Sequence, residues 1–113
     1  MKHLKLVVSN GSVKDDIFFN KKELKLILNL YAKMVSGGEW KDYALTIAKR
    51  EISFNVYYRT SEFPAYRITK NLKPKKDNEK YLIKDAQNKI INSSENLQNL
   101  IKKITWKKFK LVN

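Results

Sequence analysis

Cysteine is absent from the 113 residues, and histidine occurs once, at His3. The first absence removes disulfides, thiolate nucleophiles and the sulfur ligands of structural zinc, and it fits a reducing compartment. The second leaves no base for a Ser-His-Asp arrangement and no second imidazole for a metal. The three glycines, Gly11, Gly37 and Gly38, form neither a phosphate-binding loop nor a dinucleotide fingerprint, and no nucleophile elbow occurs. Glu39 and Asp42 lie close in sequence but lack a third ligand for a metal site. No run approaches the roughly 18 consecutive apolar residues of a membrane span, so no integral membrane association is expected. The opening Met-Lys-His-Leu-Lys-Leu-Val-Val carries too short an apolar stretch for a secretory signal. These absences lead to the expectation of a cytoplasmic protein that is not an enzyme and uses no cofactor and no metal.

What is present is one domain's worth of chain with material for a single core. An apolar share of 42% and 13 aromatic side chains argue against disorder. The net charge is +13, a field that attracts nucleic acid and anionic membrane surfaces. It rests on 21 lysines and only three arginines in a chain rich in Asn and Ile. An AT-rich genome produces that bias without selection for binding, so a functional and a compositional origin of the charge both stand. Residues 70–113 hold 12 lysines against four acids, which places +8 of the charge in the last part of the chain.

Residues 1–16 alternate Leu4, Leu6 and Val8 before Asn10-Gly11-Ser12 and read as an arm or a short strand. The single α+β domain is expected over 17–113. Asn20 and Glu23 have the spacing of a helix N-cap and its capping box, and Phe19 and Leu24 occupy the positions of a hydrophobic staple. Leu24, Ile27, Leu28, Tyr31 and Val35 then follow a helical period. Leu26, Leu30 and Met34 widen the apolar surface beyond one stripe, which points to deep cover or to a partner. Ser36-Gly37-Gly38 ends the helix.

An antiparallel meander follows. Tyr43, Leu45 and Ile47 alternate, Lys49-Arg50-Glu51 turns the chain, and Ile52, Phe54, Val56 and Tyr58 point one way. Ser53, Asn55, Tyr57 and Arg59 point the other. After Thr60 to Pro64, Tyr66 and Ile68 rejoin the core side while Arg67 and Thr69 take the open one. Tyr81-Leu82-Ile83 and Lys89-Ile90-Ile91 predict a last hairpin, and Ser93 or Ser94 would cap a second helix with a stripe of Leu97, Leu100, Ile101 and Ile104. The fold class expected is α+β in two layers: an N-terminal helix, an antiparallel sheet of about four to five strands and a C-terminal helix.

With Thr60 to Pro64 as the loop, Tyr57 falls opposite Arg67 and Asn55 opposite Thr69. An aromatic ring and guanidinium groups on an open sheet face suit stacked bases and phosphates. Two of the three arginines lie here, where lysine could not supply a planar fork. An arginine stacked on a tyrosine for ordinary sheet stability is the competing explanation. The first expectation is therefore an anionic partner, RNA or single-stranded DNA, held by Tyr57, Arg59 and Arg67. Lys102, Lys103, Lys107 and Lys108 in the basic tail would add to that grip. The alternative is a protein partner or a homodimer using Leu26, Leu30, Met34 and Trp40. Against it, Trp40 could simply cover the end of the core.

The middle of the chain resembles a small alphaproteobacterial family catalogued as a domain of unknown function. The residues that carry this are Glu23-Leu24, Ile27-Leu28, Leu30-Tyr31, Met34-Val35 and the run Gly38-Glu39-Trp40-Lys41-Asp42-Tyr43-Ala44. Phe54, Arg59, Ser61-Glu62, Pro64 and Tyr66-Arg67-Ile68 continue it. The resemblance implies a cytosolic bacterial protein of about one domain and assigns no catalytic or binding residue.

Overall fold

The computed structural model describes residues 18–58 and 63–103. The expected N-terminal arm, Arg59, and everything from Ile104 onward, Trp106, Lys107 and Lys108 included, lie outside them. Helix α1 spans Lys21–Ser36 and opens on the capping box: Glu23 N donates to Asn20 Oδ1 at 2.9 Å, and Asn20 N donates to Glu23 Oε1 at 2.8 Å. Two of the helix's orphan N–H groups are thereby satisfied by side chains. Phe18 and Phe19 precede it, packed edge-to-face with ring centroids 5.8 Å apart, and both are buried with Leu24. At the other end Gly37 is the C-cap but keeps φ at −82°; the left-handed residue is Gly38, at φ +79°. The chain then doubles back, and the N–H groups of Glu39 and Trp40 both donate to Met34 O, at 2.8 and 3.3 Å. That reversal tucks Trp40 under the helix, where it is 1% exposed.

Five strands follow, β1 Asp42–Ile47, β2 Glu51–Tyr57, β3 Tyr66–Asn71, β4 Tyr81–Asp85 and β5 Ile90–Ser94, with a 3-10 turn over Asp77–Glu79 before β4. All neighbours are antiparallel and the spatial order equals the sequence order, a plain meander. The β4–β5 turn is closed by Asn88 in the left-handed region, φ 66°, a conformation asparagine tolerates. The expected pairing of Tyr57 with Arg67 is corrected here. Asn55 pairs with Arg67, Ser53 with Thr69 and Val56 with Tyr66. The strands leave residues 58–65 between them, more than the Thr60–Pro64 loop expected, and so slide past one another by two residues. An even slip leaves every side chain on its own face.

The first face carries Tyr43 and Leu45, then Ile52, Phe54 and Val56, Tyr66, Ile68 and Lys70, and Tyr81 and Ile83. Against it pack α1 and the helical residues 97–103 (α2), whose Leu97 and Leu100 enter the same core. The helix α2 is capped by Asn96, whose Oδ1 accepts from Asn99 N at 3.0 Å, and not by Ser93 or Ser94, which belong to β5. The breadth of apolar surface on α1 is explained by this arrangement, since the sheet covers one flank and α2 another. Leu30, Met34 and Trp40, expected as a partner surface, are buried in the chain's own core, and Leu26 packs partly buried against it. The fold is α+β, a helix, a five-stranded antiparallel sheet and a C-terminal helix.

Candidate binding face

The second face of the sheet carries the chain's polar alternation. One row across it runs Ala44, Asn55, Arg67 and Lys84; the next runs Thr46, Ser53, Thr69 and Leu82. Neither described helix packs on this side. It is not the open surface that the alternation suggests, however, because Ser53, Asn55, Thr69 and Leu82 are all buried. Ser53 Oγ and Thr69 Oγ1 lie 2.8 Å apart and satisfy one another. Asn55 Nδ2 donates to Thr46 Oγ1 at 2.8 Å, and Lys84 Nζ donates to Glu51 Oε1 at 3.3 Å. The accessible groups are Thr46, exposed, and Tyr57 and Arg67, half-buried, while the Lys84 side chain is 12% exposed and held by Glu51. Two polar atoms in the first row, Asn55 Oδ1 and Arg67 Nε, are shielded from solvent and have no hydrogen-bond partner. Such atoms are uncommon in folded proteins because each costs about 1–3 kcal/mol.

Tyr57 ends β2 on this face, paired with Asp42 and one step along the strand's face from Asn55. Arg67 sits mid-strand, so these two expected site residues do share a surface. Lys102 and Lys103 are exposed on α2, on the helical side of the sheet. The sheet therefore separates these two lysines from Arg67. Asn55 and Lys84 were missed as site residues. The period-two alternation already put Asn55 on the Arg67 face and, continued past Ile83, would have reached Lys84, but only the true register makes them its direct neighbours.

A second polar cluster, on the core side, was also not anticipated. The buried Glu23 carboxylate accepts from Lys70 Nζ at 2.9 Å and from the Tyr81 hydroxyl, in addition to Asn20 N. Lys70 Nζ also donates to Phe18 O at 2.8 Å. One carboxylate thus ties the start of α1 to β3 and β4. Desolvation first, and then the hydrogen bond to Glu23 and its charge, push the Tyr81 hydroxyl well above its ordinary 10.0. Tyr31 and Tyr43 are pushed up as well, by burial first and by Asp42 second. The cluster floors a groove of about 580 Å³ between α1 and residues 95–98, with Lys22, Lys25, Asn29 and Asn96 among its walls. Its carboxylate is already engaged by three donors and is not available to a ligand. Among the described residues no group of three His, Cys, Asp or Glu could hold a metal ion, and no helix is long and apolar enough to cross a membrane.

Residues 17–101 match the family described as "Protein of unknown function (DUF2794)". The chain belongs to that family. The match begins just before Phe18 and ends within α2, so the family's extent takes in all five strands, α1 and most of the described part of α2. No curated protein and no solved structure matches the chain.

Proposed function

We propose that the chain is a non-catalytic binding protein for single-stranded nucleic acid, RNA or DNA, and that the strand lies across the second face of the sheet. The observation that carries this reading is the row Asn55, Arg67 and Lys84 with Tyr57 beside it, on the side away from both described helices. Arg67 and Lys84 supply cations for phosphates, and the Tyr57 ring supplies a stacking surface indifferent to sequence. The +13 charge favours encounter with any polyanion. The alternative interface has lost most of its residues to the core, because Leu30, Met34 and Trp40 are buried in it.

The test is fluorescence polarisation with labelled single-stranded RNA, single-stranded DNA and duplex DNA at low and near-physiological salt. Preference for a single strand that persists at the higher salt is expected, and Arg67→Ala with Lys84→Ala should weaken it while the melting temperature is kept. Binding that vanishes equally for all three probes would make the charge compositional and end this reading.

A further inference from the structure

The sheet has two edges, and the chain treats them differently. At β5 the pairing is broken by a bulge at Ile83 and Lys84, one of the devices by which folds blunt an exposed edge. The other edge, β1, pairs without a bulge, and its residues Asp42–Ile47 include neither lysine nor proline. Ala48 N donates to Glu51 O at 2.9 Å, which fixes the phase of the β1–β2 ladder. Bonded residues alternate along such a ladder, so the main-chain groups of Tyr43, Leu45 and Ile47 point away from β2. Among the described residues no strand pairs with them. The side chains of the same residues stand on the helical side of the sheet. Tyr43 packs edge-on to Tyr31 of α1, with ring centroids 4.9 Å apart, and Val35 follows Tyr31 by one helical turn. Ile47 is 59% exposed and Val35 40%. In a chain where 24 of 113 residues are lysine or arginine, this rim of Leu28, Tyr31, Val35, Tyr43, Leu45 and Ile47 holds none.

We propose that this edge joins a second copy of the chain, β1 against β1 and antiparallel, about a two-fold axis through Leu45. The inference goes beyond the single-strand reading and uses none of its residues. In that register every outward-pointing residue is paired: Leu45 lies opposite Leu45, and Tyr43 opposite Ile47. Leu45 N–H donates to Leu45 C=O and Ile47 N–H to Tyr43 C=O, once in each direction. The bond that Tyr43 N already donates to Asp42 Oδ1, at 2.8 Å, is left in place. Such a contact is isologous, and it sets α1 of both copies on the same side of one continuous sheet. Tyr43 then covers the exposed Ile47 of the second copy, and the Tyr31–Val35 stripes border the seam from both sides. The occupant follows from the charge order along the strand, since Asp42 opens β1 and Lys49 and Arg50 follow it. Antiparallel pairing places Asp42 diagonal to Arg50 of the second copy, within reach of its long side chain. Lys41 meets Lys49, but both are exposed and screened by salt. A polyanion would find no cation along the rim itself.

Sedimentation equilibrium of the full chain at micromolar concentration, at low and near-physiological salt, measures the association. A dimer is expected, tighter at the higher salt, because two chains of +13 repel one another less when screened. Nucleic-acid binding has the opposite salt dependence, so this proposal and the single-strand reading fail separately. Ile47→Lys puts the missing lysine on the edge and should weaken the dimer about tenfold or more. Its far-UV circular dichroism should be unchanged, since Ile47 is exposed. Ile90→Lys adds the same charge at β5 and should change the association less than about twofold. If Ile47→Lys does not fold, as judged by its circular dichroism, Val35→Lys carries the comparison. A monomer at every concentration and salt overturns the proposal. So does a dimer that survives the lysine on the β1 rim, or one that Ile90→Lys weakens as much.

Discussion

Glu23 shows how far a single residue can be read. Its capping role follows from its spacing to Asn20, three residues away, and both bonds form. Its second role, as acceptor for Lys70 and Tyr81, joins positions 47 and 58 residues distant, and no local pattern announces it. The one available hint was parity, since Lys70 continues the core-facing alternation of Tyr66 and Ile68. A lysine there must either find a buried carboxylate or break the strand's burial. Glu23→Gln takes the carboxylate charge away from the buried Lys70 ammonium, and urea denaturation should show a loss of about 3–5 kcal/mol. Combining Glu23→Gln with Lys70→Met should recover much of that loss, because both members of the buried pair are then gone. Tyr81 adds a pH dependence of fixed sign. Its folded hydroxyl keeps the proton above the ordinary 10.0 at which an unfolded tyrosine releases it. The native state then binds more protons than the unfolded one, so this stability is present below pH 10 and falls as pH rises beyond it. Unfolding free energies measured on either side of that value should show the decline, with a shallower slope in Tyr81→Phe.

Among the elements, α1 and the sheet were legible in different degrees. The helix was bounded by chemistry within one turn of each end, and its limits held. Of the two glycines that end it, Gly37 keeps a φ that any residue can adopt, and Gly38 takes the positive one. A methyl group at Gly37 would meet nothing closer than 3.6 Å, and one at Gly38 would meet nothing within 4 Å but would strain the backbone. Thermal melts should therefore show Gly37→Ala close to neutral and Gly38→Ala destabilised by about 1–2 kcal/mol. For the strands, alternation assigned the faces correctly and the register incorrectly. A period of two is unchanged by a slip of two residues, so patterning cannot detect one. Only the ladder between β2 and β3 decides which residues meet, and it put Asn55, not Tyr57, opposite Arg67.

For the whole molecule the decisive fact is that the sheet has two sides. The basic tail and the hairpin arginines look like parts of one basic region along the sequence. In space, Lys102 and Lys103 stand with the helices, and Arg67 and Lys84 stand on the opposite face. At physiological ionic strength the Debye length is about 8 Å, shorter than a path through or around a two-layer domain. Lys102→Ala with Lys103→Ala should therefore change single-strand affinity less than about twofold at that salt. Arg67→Ala with Lys84→Ala should reduce it by about tenfold and lower the salt slope by about 1.4, at about 0.7 for each phosphate no longer neutralised. Polarisation titrations across a salt series separate the two pairs. Equal effects would mean that the nucleic acid engages the helical side.

By itself, the chain's sequence determined the element order, the start of α1, the two faces of β2 and β3 and the charge. Those properties follow from interactions between residues a few positions apart, or from composition, and they hold whatever the elements later pack against. The tertiary structure alone decided the burial of Trp40 and Met34, the Glu23–Lys70–Tyr81 cluster, the β2–β3 register and the parting of the lysines from Arg67. Each depends on which surfaces come together once α1 and α2 settle on the same side of the sheet, and the free energy of that choice is spread over the whole core rather than written in any one segment.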